Sequence, residues 1–185
     1  MSRLALLIVG ILLSASALAQ GAYLLNPGDI LEISLWKEET MRRQVVVLPD
    51  GTISYPLAGH VQVIGRTAED VEKEITERLK PFYEDPFLSV AVVETRGNQV
   101  FVIGAVRAPG AFIASKRLDI MQALSLAGGL NEFADEDGIM VIRRMADGHQ
   151  TLPFNYAVVE SGKDLSRNIV LQSGDVLVVP TAGIF

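Results

Sequence analysis

Residues 23–36 read YLLNPGDILEISLW, and the fold turns on how that stretch behaves. Pro27-Gly28-Asp29 is turn chemistry. Glycine admits positive φ at little cost, and an aspartate side chain can bond the backbone N–H groups that follow it. Beyond the turn, Leu31, Ile33 and Leu35 alternate with Glu32, Ser34 and Trp36, the period of a half-buried strand. Near the other end, residues 172–179 read QSGDVLVV: again a Gly-Asp turn leading an apolar strand. The echo is either an internal repeat or the ordinary look of a turn-to-strand junction.

Working outward from the first turn, Val45–Leu48, Pro49-Asp50-Gly51 and Thr52–Tyr55 predict a hairpin closed by Asp-Gly. Pro56 opens a segment holding a short strand, Val61–Val63. Thr67 to Leu79 is the clearest helix: Thr67 and Asp70 form a capping box, and Val71, Ile75 and Leu79 recur on one face. A strand follows over Phe87–Glu94, and Arg96-Gly97-Asn98 marks a boundary between two halves. The second half predicts a strand over Gln99–Val106 that contains Gly104, then a type II turn at Ala108-Pro109-Gly110-Ala111. Asp119 and Gln122 box a short helix that Gly128-Gly129 stops with a left-handed cap. A hairpin spans 139–153 around Asp147-Gly148, Asn155–Glu160 fits one helical turn, and Gly174-Asp175 leads the closing strand, Val176–Val179. Gly51 and Gly110 are both expected at positive φ, and valine at either should be costly.

Apolar residues form 49% of the 185, enough for a core in one or two small domains. Arg3, the apolar run Leu4–Leu13 and the small residues of Ala17-Leu18-Ala19 predict a signal peptide over 1–19, cleaved between Ala19 and Gln20. The run is too short to span a bilayer, which takes about 20 residues. Cleavage would remove one arginine and no acid, making the balance more negative than −6. An acidic chain is a poor phosphate-backbone binder and would discourage an anionic polymer from sticking. Without cysteine there are no disulfides, no thiolate chemistry and no lipid anchor on an N-terminal cysteine.

The pattern offers no catalytic residue, cofactor site or metal site. His60 and His149 are far apart, without partners at ligand spacing. Glu132, Asp135, Glu136 and Asp137 precede Gly138 and hint at a calcium loop, but that alignment puts Phe133 and Arg144 where acids are needed. Glu38-Glu39 cannot flank one glycosidic bond, because strand neighbours face opposite ways. Trp36, Tyr55, Phe82, Tyr83 and Phe101 could stack on sugar rings, yet most are more simply core or interface aromatics.

Taken with VVVLPDGTISYPLAGHVQVIGRTAEDVEKEI, the opening stretch resembles the polysaccharide export domain of outer-membrane polysaccharide export proteins. QVFVIGAVRAPGAFIASKRLDIMQALSLAGGLNEFADEDGIMVIRR with LQSGDVLVVP resembles a soluble-ligand-binding β-grasp (SLBB) domain. The resemblance implies an α+β chain: an export domain over 20–97, then a β-grasp domain over 98–185, with short helices on small mixed sheets. Pro27, Gly28, Asp29, Asp50, Gly51, Pro56, Gly104, Pro109, Gly110, Gly128, Gly129, Gly174 and Asp175 match its motif positions. It implies a non-catalytic, ring-forming protein of the periplasm, associated with the outer membrane. Such a protein continues a conduit for capsule or exopolysaccharide and works with an inner-membrane polysaccharide copolymerase. Many relatives carry a lipidated cysteine where this chain has Gln20, and long ones add β-grasp repeats and a pore-lining helix. The chain ends at Phe185 and is expected to be a short member, held by partners that include a separate outer-membrane β-barrel. Rival readings are a monomeric periplasmic module for a sugar or small ligand, and a glycan hydrolase.

Overall fold

The computed structural model describes residues 22–183, so the signal-peptide reading and its Ala19/Gln20 cleavage point lie outside the described residues. Two hydrophobic cores form, one from residues between Leu25 and Val90, the other from residues between Val100 and Val179.

In the first unit, β1 (Ile30–Leu35) lies between β2 (Glu38–Val46) and β5 (Leu88–Glu94), both antiparallel to it. Its alternation is as read: Leu31, Ile33 and Leu35 are buried. Trp36 falls just past the strand and is exposed, its N–H donating to Phe87 O. Helix α1 (Ala68–Leu79) carries the Thr67–Asp70 box and buries Val71, Ile75 and Leu79.

The expected hairpin at Asp50-Gly51 is not a ladder between β2 and the next strand. β3 (Thr52–Tyr55) pairs instead with β4 (Gly59–Gln62), through a tight turn in which Ala58 N–H donates to Pro56 O. The reason is local. Gly51 O accepts from Val63 and Ile64 N–H, which pulls the chain out of the first sheet, while Val47 stays bonded to the Gly28-Asp29 turn. Gly51 does take φ +80, and a Cβ there would lie 2.5 Å from Ile64 Cγ2.

The second unit is a five-stranded sheet of order β7-β6-β10-β8-β9, with β6 (Gln99–Gly104) and β10 (Val176–Val179) parallel at its centre. β8 (Met140–Met145) and β9 (Gly148–Pro153) make the expected hairpin. Helix α2 (Ile120–Leu126) carries the Asp119–Gln122 box. It ends at Gly128 and Gly129, both at positive φ, with Gly129 N–H bonded to Leu124 O. α3 (Tyr156–Glu160) is the single turn capped by Asn155.

The type II turn at Ala108–Ala111 does not form. Gly110 opens β7 (Gly110–Ile113), pairs with Val102, and is not at positive φ. The reversal starts upstream at Gly104, and the loop through Pro109 is pinned by Arg107 N–H on Gly129 O and Ala108 N–H on Ala127 O. The expectation for valine therefore splits. Gly51→Val should cost roughly 2–4 kcal/mol, from the left-handed backbone plus the clash with Ile64. A Cβ at Gly110 would meet nothing within 4 Å, so Gly110→Val should stay within about 0.5 kcal/mol of wild type. Urea unfolding of both variants checks this, and equal losses would contradict the Gly110 conformation.

Candidate functional site

The two turns that echo each other in sequence are the same object in space. Gly28 and Gly174 sit at φ +97 and +87. Asp29 N–H donates to Asn26 O and Asp175 N–H to Gln172 O, each at 3.1 Å. In each turn the aspartate Oδ2 accepts the backbone N–H three residues earlier at 2.8 Å, so the carboxylates reach backwards rather than forwards. Both carboxylates are buried.

Their remaining partners differ. Asp175 takes a two-point ion pair from Arg143, Nε to Oδ1 at 2.9 Å and Nη2 to Oδ2 at 2.7 Å. That carboxylate pushes the Arg143 guanidinium above its already high ordinary value. Asp29 takes neutral donors: the Tyr23 hydroxyl at 2.7 Å on Oδ2 and Gly97 N–H at 2.9 Å on Oδ1. Burial, then this hydrogen bond, push the Tyr23 hydroxyl well above its usual range, so it keeps its proton.

Gly97 is therefore held from both units. Its N–H goes to Asp29, and its carbonyl accepts the Ser173 hydroxyl at 3.0 Å. Gly174 N–H reaches Gln99 O at 2.7 Å. Only glycine fits at this joint, since a Cβ on Gly97 would lie 2.3 Å from Pro27 O.

A groove of about 660 Å3 runs along the joint. The first unit supplies Tyr23, Leu24, Asn26 and Ile64; the second supplies Asn98, the loop Ala114–Leu118 and residues 170–173. Of the aromatics singled out from sequence none lines it: Tyr55 is buried with its hydroxyl on Met41 O, and Trp36, Phe82 and Phe101 are exposed elsewhere. Nothing in the local sequence marks Tyr23 or Ser115-Lys116-Arg117 as groove residues. The loop 114–118 meets 170–173 only after folding, and no local spacing announces it.

A second feature is a face of the five-stranded sheet that nothing covers among the described residues. Val100, Val102, Val141 and Leu177 point into the core. On the other side, cross-strand rows run Phe101–Val176–Ile142 and Ile103–Val178–Met140. Phe101 is 38% exposed, Ile103 47% and Ile113 52%. Sheets apolar on both faces are normally covered on both.

Asp50 caps its own turn, accepting Thr52 N–H at 2.9 Å and Thr52 Oγ1 at 2.7 Å, which holds its carboxyl below the usual range. Asp135 serves its own loop by accepting Asp137 and Gly138 N–H. Among the described residues no group of three or more His, Asp or Glu side chains could hold a metal ion, and no helix is long and apolar enough to cross a membrane.

Residues 17–93 match the family described as polysaccharide biosynthesis/export protein, and residues 98–179 match the SLBB domain. The chain is 31% identical over 133 residues to the EPS I polysaccharide export outer membrane protein EpsA of Ralstonia solanacearum, covering 71% of this chain and 34% of that one. It is 26% identical over 179 residues to the capsule polysaccharide export outer membrane protein CtrA of Neisseria meningitidis, covering 85% and 44%. The capsule polysaccharide export protein BexD of Haemophilus influenzae is 26% identical over 176 residues, covering 82% and 42%. The chain thus spans between about a third and under half of the length of these relatives.

Proposed function

Since the chain belongs to the polysaccharide biosynthesis/export family, with an SLBB domain behind its export domain, we propose that it is a non-catalytic, oligomeric part of a capsule or exopolysaccharide export conduit. It acts in the periplasm, associated with the outer membrane, after cleavage at Ala19. Residues 20–97 form its export domain and 98–185 its β-grasp domain. It takes polysaccharide from an inner-membrane copolymerase and delivers it toward a separate outer-membrane β-barrel. The family match and the export names of the relatives support the role.

The observation that favours an assembly over a monomer is the apolar open face around Phe101 and Ile103, whose occupant in this reading is a second copy of the chain. The groove at the joint favours the rival, a monomeric module for a sugar or small ligand. Mass measurement of the mature protein in detergent-free solution separates them. An oligomer that dissociates on Phe101→Ser with Ile103→Ser supports the conduit; a wild-type monomer supports the module.

Deleting the protein should abolish surface polysaccharide while its lipid-linked precursor still forms. Normal surface glycan in the deletion strain, without a compensating paralogue, would remove the export role. Reducing ends released from the exported glycan by purified protein would contradict the non-catalytic reading.

A further inference from the structure

The groove at the joint carries a charge opposite to that of the chain. The protein has a formal net charge of −6, yet the charged side chains lining this groove are Lys116 and Arg117, with no carboxylate among them. Among the described residues neither cation has an ion-pair partner, whereas Arg66, Lys73, Arg78 and Arg143 are each paired. We propose that the groove binds an acidic saccharide segment, one bearing a carboxylate on its sugar ring, a role that rests on the export reading and gives the conduit a defined contact with its cargo.

The polar groups at the groove are divided in a way that favours an acceptor-rich ligand. The Tyr23 hydroxyl is spent on Asp29, and the Asn26 amide donates to Leu24 O and to Tyr23 Oη. Among the described residues, the groove's remaining donors have no partner: the Lys116 ammonium, the Arg117 guanidinium, the Ser115 hydroxyl and the Gln172 amide. A carboxylate with neighbouring hydroxyl and ring oxygens presents matching acceptors, and its bonds to cations are the strong, charge-assisted kind.

The loop that carries these cations is fastened at both ends. Asn98 holds Ala114 twice, accepting its N–H at 2.7 Å and donating its amide to Ala114 O at 2.5 Å. Leu118 O accepts Leu171 N–H at 2.8 Å. Anchoring lowers the entropy lost when a ligand orders the loop. Leu24, Ile64 and Val170 are exposed apolar residues of the same groove, suited to the C–H face of a pyranose. Two cations are too few to hold a nucleic-acid backbone, which takes Lys/Arg clusters.

The test titrates the mature full chain with a tetrasaccharide of alternating glucuronate and N-acetylglucosamine, and in parallel with neutral chitotetraose, reading amide shifts by NMR. The acidic probe should shift residues 114–118 and 170–173. Raising the salt should weaken it, and Lys116→Ala with Arg117→Ala should weaken it about tenfold or more. Both side chains are exposed, so the double variant should melt with the wild type. Equal binding of the neutral probe, shifts confined to other surfaces, or an unaffected double variant would each overturn the proposal. Returning the double variant to the deletion strain keeps the two ideas apart. No binding to wild-type protein, together with full surface glycan from the double variant, overturns the groove and leaves the export role standing.

Discussion

Asp175→Ala should destabilise the second unit by roughly 3–5 kcal/mol, the usual consequence of removing one partner from a buried ion pair. The Arg143 side chain is only 14% exposed and would keep its charge with no carboxylate to meet it. Gln172 N–H would lose its acceptor in the same step. Asp29→Ala should cost less, about 1–3 kcal/mol, because the donors it strands, Tyr23 Oη and the Asn26 and Gly97 N–H groups, are neutral. Arg143→Met paired with Asp175→Leu should recover much of the loss, since an apolar pair leaves no buried charge uncompensated. Urea unfolding of the three variants makes the comparison. If Asp175→Ala unfolds at the wild-type midpoint, the ion pair contributes nothing to the fold.

Gly104→Val should be comparably severe, at roughly 2–5 kcal/mol, from a left-handed backbone penalty added to a core overlap. Gly104 sits at φ +95, and a Cβ there would lie 1.9 Å from Val179 O. That oxygen belongs to the central strand and accepts Ala105 N–H at 2.8 Å, so it cannot withdraw without loosening the parallel pair that holds the sheet together. Gly59→Val is the control. Gly59 has a similar φ of +71 but open space around it, so its loss should be only the backbone share, about 1–2 kcal/mol. Equal losses at the two positions would show that the close approach to Val179 is absent in solution.

These glycines also mark how far the sequence could be read. Elements governed by neighbours in the chain were legible: the two capping boxes, the Val71–Ile75–Leu79 stripe, the Gly128-Gly129 stop and the β8–β9 hairpin. The Asp-Gly turn at Asp50 was legible as a turn but not as a connection. Whether Gly51 bonds back to β2 or out to Val63 depends on a segment a dozen residues on. Gly110 misled for a similar reason, because the Pro-Gly signal is real chemistry overridden by loop contacts to Ala127 and Gly129. The joint groove was invisible, since 114–118 and 170–173 are remote in sequence. The uncovered face did leave a mark: VFVI at 100–103 and VLVV at 176–179 are unbroken apolar runs, the signature of strands covered on both sides.

Gly97 has a mechanical meaning as well. A glycine between two units ordinarily acts as a swivel, letting each turn without disturbing the other. Here its peptide neighbourhood is gripped twice, by Asp29 of the first unit and Ser173 of the second, with the Pro27 carbonyl against the space a side chain would fill. Those two bonds tie the turn that leads β10 to the turn that leads β1 through a single residue whose place no side chain can take.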